Sequence, residues 1–353
     1  MRKIPVTTKA SLICFGIGVA LCAFGALTIF LADGPTGLFF GLALIALGAA
    51  VAFALLLPIF EPVQNQPIGQ DTDRESRKLT EEEIAACVQV IQQTKRPYMK
   101  LVAARGNTDV FSSKFGGTPY LPPGFAYPHN TSANSDKEPL KLLCQLNFAQ
   151  LPPLEGFPNQ GILQFYLAHE EKDDIYGVNF DDLTKQEGWR VVYHEEVLKD
   201  ESQLQYPPDL AQGDEVFFPF GGEFSLTATQ ESMPITPCDF GWQEFWQNTF
   251  EDSPICQQLK TQYAEDEIAD SIIDAFYDSS YSEMTGHRIG GYPYFTQYDP
   301  REGSREDYSV LLLQIDSEDE IMWGDVGVAN FFITSEALKN LDFSKVLYNW
   351  DCH

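Results

Sequence analysis

The amino-acid sequence predicts an α+β protein: mainly antiparallel strands in two duplicated halves with flanking helices, preceded by a two-helix transmembrane hairpin. Three observations carry that expectation. The chain opens with a long uncharged stretch; short β-branched and aromatic runs bounded by turn residues fill its second part; and three short patterns recur there in the same order. The composition agrees, because 44% hydrophobic and 13% aromatic residues suffice for a packed core. With 22 Pro, 26 Gly and only 21% charged residues, coiled coils and helical arrays are disfavoured. A net charge of −28 argues against nucleic acid as a partner, since every phosphate contact would form against the protein's own field.

The hairpin comes first. Residues 10–32 hold no ionised side chain, and 11 of these 23 positions are Leu, Ile, Val or Phe. At roughly −0.3 to −0.6 kcal/mol each, these favour insertion into a bilayer. A second uncharged run, Gly37–Phe60, follows after Asp33, Gly34, Pro35 and Thr36, which fits a tight turn. A cleaved signal peptide is the alternative, but the first run is too long and a second follows at once. Basic residues flank the pair at Arg2, Lys3 and Lys9 and again at Arg74, Arg77 and Lys78, with none in the turn, so both termini are expected in the cytoplasm. The expectation is a multi-pass protein of the bacterial inner membrane, with the lipid bilayer as partner through residues 10–60. Five cysteines lie outside these runs with no CxxC pair, which fits a reducing compartment.

Residues 61–79 read as a polar linker, and 80–353 as the α+β domain. Residues 1–62 hold 3 of the 23 basic and 2 of the 51 acidic groups, leaving 20 basic and 49 acidic, a net −29, beyond. Thr80 with Glu83 forms a capping box, and Ile84, Cys87, Val88 and Ile91 continue at helical spacing until Pro97. LKLLCQLNF, GILQFYLA, RVVYHEEV, EVFFPF, SVLLLQID and VANFFI read as strands. Residues 240–280 read as helical, with Ile268, Ile272 and Phe276 at four-residue steps, and a short helix is expected from a cap at Ser335.

The repeat is the most informative pattern. Lys114-Phe115-Gly116-Gly117-Thr118-Pro119-Tyr120 is echoed by Arg288-Ile289-Gly290-Gly291-Tyr292-Pro293-Tyr294, LLCQLN at 142–147 by LLLQID at 311–316, and GILQFYL at 161–167 by GVANFFI at 327–333. The spacing is nearly kept, so a duplicated core at about 114–167 and 288–333 is expected. Gln145, Asn147, Gln314 and Asp316 fall in or beside these apolar strands, where an unpaired polar group costs about 1–3 kcal/mol. They either hydrogen-bond backbone across the junction of the two copies or line a pocket there.

The stretches KFGGTPYLPPGF, LLCQLNF, GILQFY, GGYPYFTQYDPR, LLLQIDS, MWGDVGVANFFI and FSKVLYNWDCH resemble the YwqG-like family of bacterial proteins, a domain of unknown function (DUF1963). The resemblance runs from about Thr80 to His353 and leaves the opening stretch outside. It implies a mixed α+β domain exposed to the cytosol, and it supplies no catalytic residue.

Other chemistries fail on spacing. The acidic clusters HEEKDD at 169–174 and DSEDE at 316–320 lack the alternating ligands and Gly of a calcium loop, and the five His show no zinc pattern, so no metal site is expected. No Gly-x-Ser-x-Gly elbow and no phosphate loop occurs, so no cofactor is expected either. The second copy and its tail concentrate charge, amide and indole groups: His287, Arg288, Gln297, Asp299, Arg301, Asp316, Trp323, Asp325, Trp350 and Asp351. Such a set orients a polar ligand or forms buried ion pairs. Arg288, Gln297, Asp299, Arg301, Asp316, Trp323 and Asp325, with Gln145 and Gln314, are the candidate ligand-binding residues. The expected function is a membrane-tethered binding module for a basic partner protein. The alternative is a small-molecule hydrolase or transferase with a carboxylate-lined pocket at the repeat junction.

Overall fold

Ten strands, several of them buried on both faces, join in one antiparallel sheet. The computed structural model describes residues 78–353 except 134, 136, 170–174, 211–216 and 279–282. The first five strands are β1 (Arg96–Arg105), β2 (Lys114–Gly116), β3 (Lys141–Asn147), β4 (Ile162–Leu167) and β5 (Trp189–His194). The second five are β6 (Glu223–Met233), β7 (His287–Gly290), β8 (Val310–Asp316), β9 (Val328–Ile333) and β10 (Val346–Asp351). Their spatial order is β10-β9-β8-β7-β1-β6-β2-β3-β4-β5.

The order reveals an exchange. β1 and β6 pair along their length, from Arg96 opposite Met233 to Arg105 opposite Phe224. On its other edge β1 takes β7, and β6 takes β2, so each long strand is flanked by a strand of the other set of five. The two sets match about this central pair. Lys114 lies opposite Gln145 as Arg288 lies opposite Gln314, and Gln145 opposite Gln164 as Gln314 opposite Asn330. Even the irregularities match, with register shifts between Leu142 and Cys144 in β3 and between Leu311 and Leu313 in β8.

The sheet curls until its ends approach. Phe165 of β4 and Phe331 of β9 meet with ring centroids 4.9 Å apart, and Trp189 of β5 lies 5.4 Å from Tyr348 of β10. The gap between β5 and β10 is bridged by the segment before β5: Tyr348 N donates to Leu183 O at 2.9 Å and Gln186 Nε2 to Phe343 O at 2.9 Å. Alternation along β1 sends Met99 and Leu101 into this interior and Tyr98 to the other face. There α1 (Glu81–Ile91), α2 (Trp242–Phe245), α3 (Pro254–Leu259) and α4 (Glu265–Tyr277) cover the sheet, burying Cys87, Ile91, Ile268, Ile272 and Phe276. The last helix, α5 (Ser335–Lys339), links β9 to β10.

Several expectations need correction. Among the described residues the fold is one near-closed ten-stranded antiparallel sheet with few helices, not strands divided between two halves, and no two-helix hairpin is supported. The physical reason is the length of β1 and β6, which carry strands of both sets on their outer edges and so merge two cores into one. The transmembrane hairpin expected at 10–60 lies outside the described residues. Among the described residues no helix is long and apolar enough to cross a membrane. The longest, α4 with 13 residues, spans about 20 Å against the roughly 30 Å of a bilayer core. The expected bilayer partner, multi-pass inner-membrane location and membrane tether are therefore not supported. At smaller scale, Phe217–Phe220 of EVFFPF is no strand, while β1, β2, β6, β7 and β10 were not expected. The cap of α5 is Thr334, whose side chain accepts from Ala337 N at 3.1 Å, not Ser335.

Candidate functional site

The amides that interrupt the apolar strands act as clamps. Gln145 Oε1 accepts from Tyr120 N at 2.9 Å, while its Nε2 donates to Val110 O and Ser112 O at 2.9 and 3.0 Å. Gln314 repeats this, accepting from Tyr294 N and donating to Gly286 O, both at 2.8 Å. Gln164 Nε2 holds Tyr120 O at 2.8 Å and Asn330 Nδ2 holds Tyr294 O at 2.9 Å. Each of these four amides fixes the Gly-Gly loop of its own segment, and none of the four bonds across the junction. The loops need glycine: Gly116 and Gly290 have φ of +65° and +74°, and a Cβ on Gly116 would stand 2.4 Å from Gly222 O.

The basic residue before each Gly-Gly pair is buried and spent on backbone. Lys114 Nζ donates to Asp109 O at 2.6 Å and to Thr118 O, and burial pulls its pKa down to about 8 against the pull of Glu223 and Asp109. Arg288 donates from Nη2 to Glu283 O at 2.9 Å and to Thr285 O, and its guanidinium lies over the Tyr98 ring at 5.2 Å. Asp316 does not meet it. Its Oδ2 accepts from Gly286 N at 2.6 Å and its Oδ1 from Ser317 N at 2.8 Å, bonds that temper the upward pKa shift caused by burial. His287 Nδ1 accepts from Asp316 N at 3.0 Å, and its Nε2 lies 2.7 Å from Glu318 Oε1, within ion-pair reach although off the line of an N–H bond. That contact with His287 lowers the Glu318 pKa.

Arg301 is the centre of a second buried network. Its Nε and Nη2 hold Asp299 at 2.9 and 2.6 Å, Nη2 also holds Asp239 at 2.8 Å, and the guanidinium lies between the rings of Phe240 and Phe332, 4.6 and 4.2 Å from their centroids. Phe240 N also donates to Asp299 Oδ2 at 3.0 Å, and Gly241 N donates to the other Asp239 oxygen, Oδ1, at 2.9 Å. Gln297 Nε2 donates to Cys352 O at 2.8 Å, next to Asp351, which accepts from Thr296 and Gln297 and whose pKa burial raises. Trp323 is buried edge-on to Tyr176 at 5.0 Å, with an Nε1 that has no partner. Trp350 Nε1 donates to Ile175 O at 2.7 Å. Asp325 is exposed and contributes its backbone oxygen to His353 N at 3.1 Å.

The candidate residues therefore form separate structural networks rather than one site. The acidic run at 316–320 is likewise divided among Gly286, His287 and Arg105, and residues 170–174 of the other run lie outside the described residues. Among the described residues no group of three His, Cys, Asp or Glu stands close enough to hold a metal ion. Three open clefts were not foreseen, and neither Arg288 nor Asp316 lines any of them. One, of about 510 Å³, lies beside Phe111, Gly161 and Glu195–Val197. Another, of about 410 Å³, adjoins Arg96 and Asp239, and the third, of about 610 Å³, opens at the β5–β10 gap beside Tyr193 and Phe343. The only sequence signal for the first was Glu195-Glu196 after the apolar run RVVY, which reads as a strand end.

A curled antiparallel sheet of two matched sets, with its clamp amides and the cations Lys114 and Arg288 turned to its own backbone, defines the class of domain. The chain belongs to the family described as domain of unknown function DUF1963, whose profile matches residues 113–352. Among curated proteins nothing matches the chain.

Proposed function

We propose that this domain is a binding module whose partner is a basic protein. One observation carries the reading: the acidic excess is a surface property. Among the described residues, burial removes the cations Lys114, Arg288 and Arg301 and the carboxylates Asp239, Asp299, Asp316 and Asp351, which nearly cancel, so almost all of the imbalance behind the net −28 stays exposed. Such a field speeds encounter with a positive surface and repels a negative one. The alternative, a hydrolase or transferase built on Arg288, Asp316 and Asp325, draws no support from geometry, because Arg288 and Asp316 are bound to separate backbone groups and Asp325 is exposed on the loop before β9. The motifs KFGGTPYLPPGF and MWGDVGVANFFI favour a place among the YwqG-like, bacterial members of the family, and we read the two matched strand sets as a duplication.

The test is binding of purified basic proteins and size-matched acidic ones to the full chain, measured as association rate at two salt concentrations. A basic partner should associate at least about tenfold more slowly when salt rises from about 0.05 to 0.3 M. Equal binding of acidic and basic proteins, or binding indifferent to salt, would overturn the proposal.

A further inference from the structure

We infer that the cleft beside Phe111 and Glu195–Val197 is the anchor for a lysine or arginine side chain of that basic partner, an inference that rests on the function proposed above. The cleft is held open by fixed points. His194, the last residue of β5, bonds Gln164 Oε1 through Nε2 at 2.9 Å, and Leu198 N donates to the Tyr120 hydroxyl at 2.9 Å. Glu195, Glu196 and Val197 arch between these two anchors. Phe111 lines the same cleft, its N donating to Asp109 Oδ1 at 2.8 Å and its O accepting from the lining Asn147 Nδ2 at 2.9 Å. Beside them Gly161 has φ of +83°, and a Cβ there would meet Tyr193 Oη at 2.6 Å. No rearrangement is needed to form this shape.

Its chemistry selects a long cation. Phe111, Ala149 and Val197 offer an apolar surface for a methylene stem, and an aromatic face attracts a cationic head. Glu195 and Glu196 are exposed and take part in no ion pair among the described residues, so both carboxylates are available. Lys199 also lines the cleft, which leaves one net negative charge there. About 510 Å³ lies within the usual range for ligand clefts.

The matched segment supplies an internal comparison. The residues after β10 that correspond to Glu195 and Glu196 are Cys352 and His353, and there the chain is tied down: His353 N donates to Asp325 O at 3.1 Å and Gln297 Nε2 to Cys352 O at 2.8 Å. Thr285 stands where the first segment has Phe111, and its carbonyl is taken by Arg288. The same architecture is closed in one place and open, acidic and aromatic in the other.

The probe is a labelled peptide of alternating Leu and Lys, with its Nε-acetylated counterpart, titrated against the full chain by fluorescence anisotropy at fixed salt. Glu195→Gln combined with Glu196→Gln should weaken binding about tenfold or more. Glu81→Gln with Glu82→Gln, the same charge change on α1, should change it less than about twofold. Phe111→Leu should weaken the Lys peptide and leave the melting temperature close to wild type. Equal losses from the two double variants, with the wild type binding well, would overturn the anchor while leaving the basic-partner reading standing. Equal affinity for the acetylated peptide would overturn cation recognition at the cleft. No binding of the Lys peptide by the wild type would overturn the basic-partner reading and the anchor together.

Discussion

The two matched strand sets share a skeleton and differ in the segment of chain that leaves it. Both have a buried cation, a Gly-Gly loop, an amide clamp and a bulged strand, in the same register. Past the last strand they part: the first set leads into the acidic arch at Glu195–Val197, and the second ends in a tail bonded to Asp325 and Gln297. Polar residues inside the repeated part therefore serve the fold, and the difference between the sets marks where the surface is free to bind. Arg301, with Asp239 and Asp299, strengthens the second set alone.

That asymmetry gives the largest expected effect. Arg301→Met leaves two buried carboxylates without their cation and should cost about 3–5 kcal/mol of unfolding free energy, measured by denaturant titration. A loss below about 1 kcal/mol would mean the triad contributes nothing to the second set. The clamps test the shared skeleton. Gln145→Leu and Gln314→Leu each strand buried backbone groups and should each cost about 2–3 kcal/mol. If one is silent, the two sets are not equivalent where they look most alike.

Acid should separate the strand ends. His194 at the end of β5 corresponds to Asp351 at the end of β10. Burial lowers the His194 pKa from 6.5 to about 4, so the unfolded chain binds the extra proton first and stability falls as pH drops through that window. The loss should reach about 2 kcal/mol between pH 6.5 and 4.5 and vanish in His194→Gln. Asp351 has the opposite sign: burial raises its pKa above 3.8, so its contribution is full below 3.8 and fades as pH rises above it. Asp351→Asn should remove that opposing trend in the same titration. The smallest effect lies outside both sets, where Thr80→Ala removes a capping box and should cost about 1 kcal/mol.

Much of this skeleton was legible in the sequence. The α1 cap could be read because Thr80 and Glu83 act locally, and β3, β4, β8 and β9 because strands buried on both faces are continuous apolar runs. β1 was hidden by its charged ends and by Pro97, which sits near a strand start where its missing N–H does little harm. β6 was hidden because much of it is exposed, with an alternation confined to Phe224 and Leu226. Phe217–Phe220 misled in the other direction, since Phe220 packs into the core from a loop. For the site, residue types were readable but directions were not. Arg288, Gln145 and Gln314 end on backbone carbonyls and amides, partners that carry no sequence signature. The cleft depends on two distant anchors, Gln164 for His194 and Tyr120 for Leu198, so nothing within Glu195–Val197 itself announces it.

Amide hydrogen exchange of the full chain with and without the Leu-Lys peptide tests the central claim most directly. Protection should rise at Phe111 and across Glu195–Leu198, while His287–Gly291 and Asp316 stay unchanged. Protection confined to the second set, with the arch unaltered, would contradict the account.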